Sequence, residues 1–541
     1  MSTLEEVLRL QKKEGILQAP TGGNSVRAEV ASSTNPTLQI SLQNNTGSSN
    51  VWAYITGLDI NRNNAVLVLR SDGVTPYYPT SPSKTLSPFA ADCHIHLGAP
   101  GTTRVVTVPQ VVGGRIWFCI DNQLTFYINP GPALVEPSVM NPSDPNYNLD
   151  WSFAEFTYNT FQLFANITYV DFVSFPVSLA LTSTNPSTPP QRVLGHSPSS
   201  LLTIASALRS QSALDSSDWS KLIIPSPSPS NTPLRILSPN SAIKLFQPFP
   251  LFQDYFAPYV SAVWSKYTST PLLINTQSTW GLLSATVSPI TGKLTFPGIG
   301  AFSQPSAADI FSCDSGPFAR YEENGEVMGN ITARLAAAFN RSTVLRSGRE
   351  PDGGEGVGGY YKEERTNHYA RIVHGVSWEG RGYAFPYDDV SPSDAENVAG
   401  TVSDGSPAVF VVAVGGPAVL DHGERRGLGL DALGQHEKSD IKKNGSDLVV
   451  PNIERRLETM VPSASAAVQR RLEEWAERAA DMGGPAVETG VRTLTWLIFW
   501  LGGLLAVSRW LLASRAGGVV LLLLAAYLVV FGSGGGVTDG E

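Results

Sequence analysis

Apolar and polar residues alternate along the first part of the chain. In Thr37–Gln43, Leu38, Ile40 and Leu42 alternate with Thr37, Gln39 and Ser41, the period of a half-buried strand. Asn44-Asn45-Thr46-Gly47 then reads as a turn. Val51–Ile55, Asn64–Arg70, Arg115–Ile120 and Leu124–Asn129 continue the pattern, with Gly, Asn and Pro turns between them. Evenly spaced short strands of this kind predict a sandwich or barrel.

The pattern changes near Thr184, where STNPSTPPQRV and later IPSPSPSNTP break regular structure. Helical spacing follows. Leu201–Ser212 is one candidate. Asp254–Tyr267 is another, with Asp254 as N-cap and Pro258 confined to the first turn. Ile331, Leu335 and Phe339 form a third stripe. Tyr369–Val373 and Pro407–Val414 read again as strands. The resulting fold class is mainly β with α/β. Residues 1–184 form a β-sandwich or barrel, 185–366 a mixed α/β domain and 367–419 a return to the β-domain. Residues 420–490 are a charged linker and helix, and 491–541 a hydrophobic helical tail. Two apolar runs, Thr493–Ser508 and Ala516–Gly532, are each slightly short of the roughly 20 residues that cross a bilayer. They predict membrane association through residues 493–532, as a hairpin or one long tilted transmembrane helix. A buried helical hairpin is the alternative.

Charge narrows the function. The formal net charge is −9, which offers no basic field for phosphates and excludes nucleic acid as a partner. With three cysteines, Cys93, Cys119 and Cys313, one disulfide at most is available; Cys93 and Cys119 could bridge two strands of one domain, and spacing does not decide the pairing. Met1–Pro20 has no apolar h-region and does not read as a signal peptide. Cys93-His94-Ile95-His96 places both histidines on one strand face but lacks a second Cys/His pair, so no metal site is expected. Cys313-Asp314-Ser315-Gly316-Pro317 reads as a turn. Gly353 to Gly359 has neither the preceding strand nor the Lys of a phosphate loop. Tyr255, Tyr259 and Trp264, at helical spacing, are assigned to the core.

The chemistry-bearing stretch is Asp150–Thr182. On a strand over Trp151–Asn159, Glu155, Thr157 and Asn159 share a face. A second strand over Thr168–Val173, turning back near Leu163, would set Asp171 opposite or diagonal to Glu155. Paired carboxylates beside hydroxyl and amide groups are what glycosidic cleavage needs, one protonating the leaving oxygen and the other ionised. A solvated acidic face is the plainer reading of the same pattern.

The phrases DWSFAEFTYN, NITYVDFVSFPVSLAL, LRILSP, GNITARLAAAFNRSTVL, NHYARIVH and YAFPYDDV, spread over roughly residues 37–390, resemble the glycoside hydrolase family 64 β-1,3-glucanases of the thaumatin-like superfamily. That resemblance implies a thaumatin-like β-domain and a mixed α/β domain flanking a wide groove for β-1,3-glucan. It also implies inverting endo-hydrolysis without a cofactor, outside the cell or at its wall. Glu155 would be the general acid and Asp171 the general base, with Thr157, Asn159, Phe164 and Thr168 binding substrate. Phe164 stands where the family often has Trp, which keeps an apolar platform and drops the indole donor. Asp388 and Asp389 fall in a matching phrase and read as structural or groove-lining. The alternative function is a non-catalytic β-glucan-binding or wall-associated protein of the same scaffold.

Overall fold

The computed structural model describes residues 34–227, 232–320, 325–393 and 398–420. The helix and apolar runs anticipated beyond residue 420 lie outside these residues, as does Met1–Pro20. Among the described residues, no helix is long and apolar enough to cross a membrane.

Alternation builds two large sheets. In one, the strands run in the order Gln191–Val193, Val177–Ser183, Pro407–Val414, Thr37–Asn44 and Thr103–Pro109. The late strand Pro407–Val414 lies parallel to Thr37–Asn44 and antiparallel to Val177–Ser183. The other sheet runs Thr401–Asp404, Leu163–Ile167, Trp151–Tyr158, Val111–Ile120, Val51–Asp59, Ala65–Leu69 and Pro76–Tyr77, with Ile95–His96 pairing to Val51–Asp59. Ile40, Leu42, Leu179, Leu181, Val412 and Val414 from the first sheet share one buried core with Ile116, Phe118, Ala154, Phe156, Ala165 and Ile167 from the second. On Trp151–Tyr158, Ala154, Phe156 and Tyr158 thus enter this core between the sheets, and Glu155 and Thr157 stand on the opposite face, beside buried Trp151 and Phe153.

A bulge shapes that face. Pairing of Trp151–Tyr158 with Val111–Ile120 shifts between Phe156 and Tyr158, where Gly113 takes φ +58°. Beside it, Gly114 lies under the Phe156 ring, and a Cβ there would come within 2.6 Å of it. Bulges bend a strand and re-aim its side chains, and this one precedes Arg115 directly. Gly114→Ala is therefore expected to displace Phe156 and cost about 1–3 kcal/mol. A urea midpoint indistinguishable from wild type would show that the ring yields freely.

Helices carry the middle of the chain. Ser200–Asp215 and Gly325–Arg341 fall where spacing placed them. Ala257–Ser269 has Pro258 in its first turn, but its N-cap is Phe256; Asp254 sits earlier, at φ +56°, and caps nothing. Tyr369–Val373 is not a strand but part of the helix His368–Val376. The Asn367 side chain accepts from Ala370 N, and Tyr369, Ala370, Ile372 and Val373 bury one helical stripe. Tyr255, Tyr259 and Trp264 are in the core. All three cysteines are free and buried, so the Cys93–Cys119 bridge does not form.

Candidate active site

The hairpin after Trp151–Tyr158 turns at Asn159, whose Oδ1 accepts from Phe161 N (2.9 Å) and Gln162 N (3.0 Å). Asn159 thus closes the turn, and the returning strand is Leu163–Ile167 rather than Thr168–Val173. In this register Glu155 faces Asn166, Thr157 faces Phe164, and Asp171 falls beyond the strand end. After Ile167 the chain leaves the sheet: Thr168 bridges to Tyr383, and Phe172–Val173 pairs with Pro233–Leu237. The anticipated cross-strand placement of Asp171 is therefore replaced by another. Its carbonyl accepts from Ser238 N at 2.9 Å, where Ser238 caps the helix Pro239–Leu245.

Across the next strand Glu155 is paired with Arg115, and Arg115 with Thr56. Arg115 Nε donates to Glu155 Oε1 at 3.3 Å, and Asn166 Nδ2 donates to Glu155 Oε2 at 3.3 Å. The Arg115 Nη1 group forms an ion pair with Glu136. Thr56 Oγ1 reaches Glu136 Oε1 at 3.5 Å and accepts from Trp117 Nε1 at 3.0 Å. The guanidinium lies over the Trp117 and Phe153 rings, 5.5 and 5.2 Å from their centroids. These two rings adjoin, their centroids 4.7 Å apart, and together give the cation an aromatic floor. The Glu155 side chain remains 35% exposed, open to a ligand.

Asp171 belongs to the same electrostatic group. Burial pushes its carboxyl above the ordinary carboxylate range. Arg115 and Lys244 pull it back, while Glu155 and Glu136 push it further up. It keeps partial contact with solvent. The structure thus gathers Glu155, Thr157, Phe164 and Asn166 on one sheet face, continues to Thr168 at its edge, and sets Asp171 within electrostatic reach. Phe164 is half-exposed; Thr157 and Thr168 are nearly buried.

Sequence reasoning passed over Arg115, Glu136, Asn166 and Lys244. Arg115 had a signal, a cation in an otherwise apolar strand; the others depend on register and on distant segments. Asp388 proves structural, fully buried between Arg341 and His374.

The family model described as β-1,3-glucanase, glycoside hydrolase family 64, matches residues 36–414. The chain is 28% identical over 313 residues to a glucan endo-1,3-beta-glucosidase of Arthrobacter sp. (strain YCWD3), covering 56% of this chain and 52% of that protein. It is 27% identical over the same length to a glucan endo-1,3-beta-glucosidase of Cellulosimicrobium cellulans, again covering 52% of that protein. It therefore spans about half the length of the curated relatives it matches. Among solved structures it resembles a laminaripentaose-producing β-1,3-glucanase in complex with laminaritetraose. The TM-score is 0.60 and the identity 28%, covering 70% of this chain and 99% of that one. A glycoside hydrolase family 64 β-1,3-glucanase domain from Clostridium beijerinckii shares the fold, with a TM-score of 0.53 and 19% identity over 70% of this chain and 98% of that one.

Proposed function

The chain belongs to glycoside hydrolase family 64, the β-1,3-glucanases, and on that premise we propose that it hydrolyses β-1,3-glucan internally, with inversion and without a cofactor. The observation that carries this reading is the placement of two carboxyls around Arg115: Glu155, open to solvent on the sheet face, and Asp171, whose carboxyl burial and Glu155 push upward. Glu155 protonates the leaving oxygen, and Asp171 takes a proton from the attacking water. A base with a raised pKa binds that proton more strongly, provided it is ionised at the working pH. The register supports inversion. A residue directly opposite Glu155 would have its Cβ only about 4.5–5.5 Å away, near the spacing of a retaining pair. Asn166 holds that place, and Asp171 stands beyond the strand end. An inverting pair needs carboxyls roughly 6.5–9.5 Å apart, with water between them.

The substrate is extracellular, wall-type β-1,3-glucan. We read residues 34–184 with 367–419 as the thaumatin-like β-domain and 185–366 as the mixed domain bordering the substrate groove. Thr157, Asn159, Phe164 and Thr168 would line it near the cleavage point. Purified protein incubated with laminarin or curdlan should release reducing ends, and proton NMR of the first product should show the α anomer. A β anomer appearing first would overturn inversion. Binding without new reducing ends would favour the non-catalytic glucan-binding role.

Phe164, half-exposed opposite Thr157, offers a flat apolar surface to a sugar ring. Phe164→Ala is expected to raise KM for laminarin roughly tenfold, the equivalent of about 1.4 kcal/mol. Phe164→Trp should lower KM. A KM unchanged in both variants would remove Phe164 from the binding surface.

A further inference from the structure

Arg115 divides its guanidinium unevenly between two carboxylates. Nη1 is committed to Glu136, whereas Glu155 receives only the Nε bond at 3.3 Å. A fully developed arginine–carboxylate pair is bidentate, with two parallel bonds of about 2.7–2.9 Å. Such a pair at Glu155 would favour the carboxylate over the acid that must deliver a proton. A Glu155 with no partner would lose its aim. Glu136 provides the intermediate case. It is steadied by Thr56, which Trp117 Nε1 holds in turn, and the guanidinium rests over the adjoining Trp117 and Phe153 rings. The charges that face the reacting pair are Arg115, Lys244 and Glu136.

Resting on the proposed hydrolase function, we propose that Arg115 and Glu136 are positioning residues that together set the aim of Glu155 and the charge it faces. Glu136 draws the guanidinium toward itself, so that Arg115 orients Glu155 through one weak bond without locking it as a carboxylate.

The two residues act with opposite sign. Glu136→Gln removes the competing anion and gives more of the guanidinium's charge to Glu155 and Asp171. Both limbs of the kcat/KM pH profile should move to lower pH, by about one pH unit, and turnover on the alkaline side should fall about tenfold. Arg115→Met removes the cation, and both limbs should move to higher pH. Arg115→Lys keeps the charge without the Nε bond, so the limbs should stay near those of wild type while kcat falls and KM holds. A purely structural role would lower activity or stability without moving the limbs in opposite directions. Shifts of the same sign in Glu136→Gln and Arg115→Met, or none, overturn the proposal. If Arg115→Met does not fold, the near-isosteric Glu136→Gln carries the test alone, and an unmoved profile overturns it.

Carbon-13 NMR titration of the Glu155 and Asp171 carboxyls in the full chain separates this from the function it rests on. If wild type releases nothing from laminarin or curdlan, the hydrolase reading fails, and the titrations decide the charge arrangement alone. Lower midpoints in Glu136→Gln sustain it, and unchanged midpoints overturn it.

Discussion

Glu155→Gln is expected to lose about 10²–10⁴-fold in turnover on laminarin, the usual contribution of a positioned acid, while binding laminari-oligosaccharides almost as tightly as wild type. The substituted amide keeps the size of the carboxyl and can still accept from Arg115 Nε, giving up only the bond from Asn166 Nδ2. What it cannot do is give a proton to the departing glycosidic oxygen. That distinction can be read directly with a leaving group that needs no proton. On a dinitrophenyl β-laminarioligosaccharide, Glu155→Gln should recover most of its lost rate. Asp171→Asn, deprived of the base that activates water, should stay as impaired as on laminarin. The reverse pattern, with Asp171→Asn rescued and Glu155→Gln not, would exchange the two roles. Full activity of Glu155→Gln on laminarin would remove it from the chemistry altogether.

The two residues were legible in the sequence to different degrees. Strand alternation in Trp151–Tyr158 fixes which face Glu155 occupies, because a period of two leaves no choice once Phe156 and Tyr158 enter the core. Asp171 was placed on the right stretch but in the wrong element. Local pattern carries no record that Ser238, 67 positions on, takes its carbonyl, or that Phe172–Val173 pairs with Pro233–Leu237 instead of continuing the hairpin. The Arg115–Glu136 contact joins segments 21 residues apart, which no spacing rule anticipates. Tyr369–Val373 failed for another reason. Five residues are too few to tell a strand from a buried helical turn, and the deciding signal was the Asn367 cap just upstream.

Asp388→Ala should be among the most destabilising single changes in the described part of the chain, at about 3–5 kcal/mol. The Asp388 carboxylate has no exposed surface and accepts from Arg341 Nη2 at 3.0 Å, His374 Nε2 at 2.9 Å and Ala384 N at 2.9 Å. Arg341 ends the helix Gly325–Arg341, and His374 lies in the last turn of His368–Val376, so one side chain fastens two helices to the loop that carries it. Removing it leaves a guanidinium only 2% exposed without its counter-charge. The pH dependence gives an independent signature. Burial alone would raise the Asp388 pKa, but His374 and Arg341 outweigh it and hold the carboxyl below its usual range. Burial alone would lower the His374 pKa, but Asp388 outweighs it and holds the imidazole above its usual value. The carboxylate's contribution is therefore present above the unfolded value near 3.9 and lost as pH falls through the depressed folded value. The imidazole's contribution is complete below the unfolded value near 6.5 and lost as pH rises through the raised folded value. The stability gap between wild type and Asp388→Ala, measured by urea unfolding, should peak between roughly pH 4 and 6.5 and narrow on both sides. A gap of constant size from about pH 3 to pH 9 would mean that packing, rather than the charged trio, holds these helices to the loop.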